Sequence, residues 1–164
     1  MIDDDLTPLA EALGAALTAR GWLLATAESC TGGWIAKAVT DIAGSSGWLD
    51  RGFVTYSNAA KQEMLGVRAA TLEAHGAVSE PVVGEMAQGA LAHSRAQAAV
   101  AVSGVAGPGG GSVDKPVGTV CFGWAIGAVV ETATVHFAGG RDAVRRSSVV
   151  YALQGLIERL DDGV

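Results

Sequence analysis

A serine at a turn, an amine able to take its proton and cations able to hold an anion are the residue types here that could combine into nucleophilic chemistry. The run TAESCTGGWIAKAV puts Ser29, Cys30 and Thr31 after a short apolar stretch and before a glycine-led segment of helical periodicity. Backbone N–H groups without helical partners converge at such a turn, and the positive end of the helix dipole faces it. That suits a bound phosphate, or the oxyanion that forms when a hydroxyl attacks a carbonyl. Ser29 and Thr31 are also ordinary helix caps, so the turn alone does not separate catalysis from capping. Ala27 and Thr31 flank Ser29, which excludes a G-x-S-x-G elbow, and Gly32 stands where S-x-x-K needs a lysine. The phosphate-binding string G-x-x-x-x-G-K-[ST] is absent as well.

The amine has few sources, because the chain has three lysines, Lys37, Lys61 and Lys115. Lys37 falls on the glycine-led helix, where it is expected to be solvated, and Lys115 stands in a polar turn beside Pro116. Lys61 differs: with Asn58 as cap it takes the third helical position, where the dipole opposes a cation. Dipole and burial both lower an amine's pKa, and a neutral amine can take a proton from a serine hydroxyl. Tyr56, at the end of the preceding strand, could join the same proton network. The competing reading of Lys61 is a surface lysine on a short helix.

Arg141 and Arg145 are four apart and share a stripe with Val149, Leu153, Leu156 and Leu160. Two cations in the opening turns of a helix call for an anion, either on a ligand or on an internal Asp or Glu. The loop Gly104–Gly111 leaves the end of a buried strand, where α/β sheets bind ligands, and its lack of side chains lets a ligand approach the backbone. A flexible connection is the plainer account of that glycine run. His75, His93 and His136 are separated, and with Cys30 and Cys121 they match neither a disulfide framework nor a zinc spacing. No structural metal is expected, and Cys30 reads as a buried, inert thiol.

The elements that must position these groups follow from periodicity. Thr7 as cap and Pro8 start a first helix over about residues 7–20, ended by Gly21. Trp22–Ala27 reads as a buried strand, and Ile35, Ala36, Val39 and Ile42 mark the helix after the turn. Phe53–Tyr56 reads as a strand, followed by a short helix capped by Ser57 or Asn58 and ended by Gly66. Ser79 and Pro81 start a longer helix with Val83, Ala87, Ala90 and Leu91 on one face. Ala98–Ser103 is a continuous apolar strand, Val117–Ile126 and Val129–Phe137 form a hairpin around Gly127 and Ala128, and a last helix runs from about Arg141 to Leu160. Alternating helices and strands followed by a hairpin predict an α/β fold: one domain over residues 1–164, a three-layer α/β/α sandwich with a mixed sheet.

Composition agrees with one folded domain. The chain has 164 residues, of which 49% are hydrophobic, and a mean hydropathy of +0.33. That supports a sizeable core and excludes intrinsic disorder. Eleven Lys and Arg against 17 Asp and Glu leave a net charge of −6 and a pI near 4.9, with no basic stripe for nucleic acid. The acidic start MIDDDL lacks the basic region and apolar run of a secretory signal. The uncharged stretch Pro116–Val130 spans 15 residues and is broken by glycines, so no membrane segment is expected. The expectation is a cytoplasmic protein.

Four strings carry a resemblance over nearly the whole chain: ATAESCTGG at Ala25–Gly33, VTYSNAAKQEMLGV at Val54–Val67, GAVSE at Gly76–Glu80, and AVSGVAGPGGG followed by KPVGTV. The chain resembles the CinA C-terminal domain family, whose members include nicotinamide mononucleotide deamidases. In many relatives this domain follows a larger molybdopterin-binding-like domain, and this chain looks like the standalone form. The resemblance implies hydrolysis of the carboxamide of nicotinamide mononucleotide to nicotinate mononucleotide and ammonia, in pyridine nucleotide salvage. By motif match Ser29 would be the nucleophile, Lys61 the general base and Tyr56 an assisting hydroxyl. The turn of Cys30, Thr31, Gly32 and Gly33 would supply oxyanion donors. The phosphate would fall to Arg145 or Arg141, helped by loop amides among Ser103, Gly104, Gly107 and Gly109. This chemistry requires no cofactor or metal, and the resemblance suggests a homo-oligomer.

Two other readings compete. A non-catalytic module would bind a nucleotide or a partner protein, as the family's association with competence and damage responses implies, with Ser29 only a cap. Gly44, Ser45, Ser46 and Gly47 could belong to an amidase-signature type of site. That family is much longer, and GSSG is more simply a turn before Trp48.

Overall fold

The computed structural model describes residues 6–162; the acidic start, Met1–Asp5, lies outside them. In chain order the elements are α1 (Leu6–Arg20), β1 (Leu24–Glu28), α2 (Trp34–Thr40), β2 (Leu49–Val54), α3 (Asn58–Leu65), α4 (Ala69–His75), α5 (Glu80–Ala92), β3 (Ala98–Gly104), β4 (Thr119–Ile126), β5 (Val129–His136) and α6 (Arg141–Asp161). The five strands form one sheet in the order β2-β1-β3-β4-β5. β1 runs parallel to both β2 and β3, and β4 and β5 are antiparallel, so the sheet is mixed as expected.

Period-two alternation sorts the strand residues onto two unlike faces. Val100, Val102, Phe122 and Trp124 point to one face and pack with residues of α1, α2 and α6. There the Phe122 and Tyr151 ring centroids lie 4.6 Å apart, and the Trp124 indole N–H donates to the Ala152 carbonyl at 3.2 Å. Burying each such side chain is worth about 1.5–3 kcal/mol. The other face is floored by Ala25, Ala27, Ala99, Ala101 and Ala125, with α3, α4 and α5 above it. On so low a floor α5 sits close: a Cβ on Gly123 would come within 2.5 Å of the Val83 carbonyl oxygen.

Several boundaries differ from the sequence reading. α1 already includes Leu6, so Thr7 lies inside the helix rather than capping it. The second strand is Leu49–Val54, and Tyr56 lies two residues beyond it. Its edge position leaves much of it exposed, which weakens the apolar signal at Leu49–Gly52. Ser57, not Asn58, caps α3: its backbone is extended and its Oγ accepts from the Ala60 N–H at 3.0 Å. Lys61 is therefore the fourth residue of that helix. Gly44–Gly47 is a tight turn before Trp48.

Candidate active site

The parallel register aligns three strand ends. Glu28 pairs with Val54 on one side and with Val102 on the other, so residues 29 and 55 leave β1 and β2 at the same level, beside the last residues of β3. The chain moves from β1 to one neighbour and later returns to the other, and α/β sheets bind ligands at that reversal, outside the carboxyl ends of the strands. Ser29 prolongs the ladder by one bond, its N–H donating to the Val102 carbonyl at 3.0 Å. Beyond it the backbone turns through Gly32 (φ +59) and Gly33 (φ +103), a left-handed course that side-chain-bearing residues rarely adopt.

Glu28, which sequence reasoning missed, builds this turn. Its carboxylate is fully buried and accepts from the Thr31 hydroxyl at 2.5 Å, the Ile35 N–H at 2.9 Å and the Ala36 N–H at 3.0 Å. It thus satisfies orphan donors at the start of α2, the work expected of Ser29 or Thr31. Gly33 occupies the cap position with no side-chain bond, which leaves the Ser29 hydroxyl free of capping. The signal lay in a carboxylate ending an otherwise apolar strand: such a group must find donors, and a glycine turn opening a helix offers them.

Lys61 reaches the same point from α3. Its side chain is 1% exposed, and its Nζ lies 3.1 Å from Ser29 Oγ, 2.9 Å from the Thr55 carbonyl and 3.4 Å from the Tyr56 carbonyl. Among the described residues no carboxylate is paired with it. Burial lowers its pKa below the ordinary 10.5, opposed by the neighbouring Cys30. A neutral amine can give its two protons to the two carbonyls and turn its lone pair to the serine hydroxyl. Cys30 is itself pushed up to about 11, mainly by burial, so it stands as a neutral thiol beside the serine.

A cleft of about 270 Å³ opens over this pair, lined by Ser29, Cys30, Tyr56, Asn58, Lys61, Ala77, Val78, Ser103, Gly104, Ala106 and Arg141. Tyr56 stands on the rim with 65% of its surface exposed. Arg141 is exposed too, and it donates to the Gly107 carbonyl at 2.8 Å, joining the glycine loop to the cleft wall. Gly109 lies on the exposed part of that loop. Asn58, Ala77 and Val78 were not among the expected lining residues; only the fold brings them there. Larger depressions of about 500 Å³ lie along α3 and α5 and beside α1, but neither joins a nucleophile to a base.

Not every expected binding residue meets in the cleft. Thr31, Gly32, Gly33 and Arg145 line a separate depression with Trp34 and Lys37, and the Thr31 side chain is turned inward to Glu28. The half-buried Arg145 bonds two backbone carbonyls: Nε donates to the Cys30 carbonyl at 3.0 Å and Nη2 to the Thr31 carbonyl at 3.3 Å. No group of three His, Cys, Asp or Glu side chains that could hold a metal occurs among the described residues. Among those residues no helix is long and apolar enough to cross a membrane.

Fold and site together define a class: a three-layer α/β domain with a buried serine–lysine pair where its parallel strands end. The chain belongs to the CinA C-terminal domain family, whose profile matches residues 6–160. The nicotinamide-nucleotide amidohydrolase PncC of Escherichia coli (strain K12) is 61% identical over 158 residues, covering 95% of each chain. The protein of the same name from Pseudomonas putida is 52% identical over 155 residues, 94% of this chain and 97% of that one. The crystal structure of the competence/damage inducible protein CihA from Agrobacterium tumefaciens matches with a TM-score of 0.93 at 48% identity, covering 98% of both chains.

Proposed function

We propose that this protein is a nicotinamide-nucleotide amidohydrolase, converting the carboxamide of nicotinamide mononucleotide to a carboxylate with release of ammonia. The observation that carries the reading is the buried Lys61 Nζ at 3.1 Å from Ser29 Oγ, with no carboxylate among the described residues paired to keep the amine charged. Ser29 Oγ attacks the carboxamide carbon while its proton passes to Lys61. The oxyanion takes backbone N–H donors of the turn that follows Ser29. Collapse breaks the C–N bond, and the Lys61 ammonium, assisted by the Tyr56 hydroxyl, protonates the departing NH2 group, which leaves as ammonia. Water, activated by the again neutral Lys61, then cleaves the ester on Ser29 and frees nicotinate mononucleotide.

Arg141 on the cleft wall is the phosphate contact this reading favours, with loop amides between Ser103 and Gly109. The substrate carries one phosphate and one pyridinium cation, so a local anion contact suffices and the net charge of −6 is no obstacle. The reading also carries a cytoplasmic location and a homo-oligomeric assembly.

Ammonia release from nicotinamide mononucleotide tests it. Ser29→Ala and Lys61→Ala are each expected to lower kcat by at least about 10³-fold, as loss of a nucleophile or base does in serine hydrolases. Wild-type activity should survive treatment with a chelator. Activity should fall as pH drops through the lowered pKa of Lys61, because the protonated amine cannot accept the serine proton. Binding of the nucleotide without ammonia release would turn the assignment to a binding module, and an equally active Ser29→Ala would remove the nucleophile.

A further inference from the structure

Arg145 stands on the side of the nucleophile turn away from the cleft. The residues lining its depression and those lining the cleft of Ser29 do not overlap, so the turn itself is the partition between them. Its guanidinium is engaged by the Cys30 and Thr31 carbonyls and lies 5.5 Å from the Trp34 ring centroid. Among the described residues the carboxylate paired with it, Asp142 at 3.9 Å, is 96% exposed and contributes little. So placed, the cation handles peptide groups rather than a substrate.

A trans peptide holds its C=O and the following N–H in opposite directions. Among the described residues the cis bond is Gly107–Pro108, so the Cys30–Thr31 peptide is trans. Drawing the Cys30 carbonyl to Arg145 therefore turns the Thr31 N–H away from Arg145. That N–H meets no acceptor among the described residues, whereas the next one, of Gly32, is spent on the Ser29 carbonyl at 3.1 Å. A charged donor on the carbonyl also polarises the peptide and strengthens its N–H as a donor. From the other side, Glu28 holds the Thr31 hydroxyl, so the peptide is fixed at both ends.

We propose that Arg145 is a positioning residue for the nucleophile turn: through the Cys30 and Thr31 carbonyls it aims the Thr31 N–H at the developing oxyanion, and it is not a phosphate ligand. The proposal rests on the amidohydrolase reading and specifies how that site is held.

The test compares Arg145→Gln, Arg145→Lys and Arg141→Gln by kcat and KM for nicotinamide mononucleotide, and by the inhibition constant of inorganic phosphate. Arg145→Gln is expected to lower kcat on the order of 10²-fold, the cost of a misplaced or lost oxyanion donor, with KM and phosphate inhibition within about threefold of wild type. Arg145→Lys should recover part of kcat, because an ammonium can hold one of the two carbonyls. Arg141→Gln should instead raise KM and weaken phosphate inhibition. A rise of KM and of the phosphate constant in Arg145→Gln with kcat preserved would overturn the proposal, as would wild-type values throughout.

Labelling of Ser29 by an aryl sulfonyl fluoride, followed by intact mass, separates this proposal from the choice of substrate. If the wild type releases no ammonia, the amidohydrolase reading fails, yet slower labelling in Arg145→Gln still supports the positioning role. Equal rates, including none in either protein, overturn it. A thermal melt verifies folding, and Arg145→Lys carries the comparison where the Gln variant does not fold.

Discussion

At the scale of single residues the site rests on an amine held where an amine is unwelcome. Unfolded Lys61 titrates at the ordinary 10.5 and the folded amine lower, because burial disfavours the charge. Between those values the unfolded chain binds more protons than the folded one, so this residue makes stability rise with pH across that window. Lys61→Met should therefore be more stable than wild type at neutral pH, with the advantage shrinking as pH climbs towards 10.5. Denaturation midpoints against pH measure this, at roughly 2–4 °C of thermal midpoint per kcal/mol for a domain of this size. A variant less stable than wild type at every pH would mean that the carbonyl contacts of Lys61 outweigh its burial. Glu28 is the opposite case: a buried carboxyl group met by three donors, placed one residue before Ser29.

The elements decide whether that amine arrives. α3 brings Lys61 to Ser29, and α3 is seated on α5, where a Cβ on Gly89 would collide with the Leu65 carbonyl oxygen one turn after Lys61. Gly89→Ala must push α3 outward. The expected loss is about 1–3 kcal/mol of stability, and on the order of 10²-fold in kcat if the amine shifts by about 1 Å. Gly84→Ala is the matched control in the same helix: its new methyl meets Thr132 at an ordinary 3.6 Å. It should gain up to about 1 kcal/mol from helix propensity. Chemical denaturation and ammonia release on the two variants check the contrast, and equal behaviour would dismiss the seat of α3 on α5 as the determinant.

For the molecule as a whole, the unequal faces of the sheet set the layout. Large side chains under α1 and α6 form the main core, while an alanine floor lets α5 sit low and carry α3 to the strand ends. Ala101 is in the middle of that floor and fully buried. Ala101→Leu should lift α5, costing about 1–3 kcal/mol by overpacking and reducing turnover with it, since α3 rides on α5. A leucine variant with wild-type melting and turnover would show that the helical layer accommodates extra volume without moving the site.

How much of this was legible in the sequence depends on the range over which each feature is decided. The strand–turn–helix around Ser29 and the alternation into a mixed sheet rest on local pattern: apolar period and glycine turns. These survive because neighbours along the chain determine them. Glu28 as the builder of the turn, Arg141 and Arg145 on opposite sides of it, and the cleft wall of Ala77 and Val78 were not readable. Periodicity states which side of an element is buried but not which distant element covers it. The register that sets Val54 and Val102 beside Glu28, and so Lys61 beside a serine 32 residues earlier, exists only once the sheet has closed.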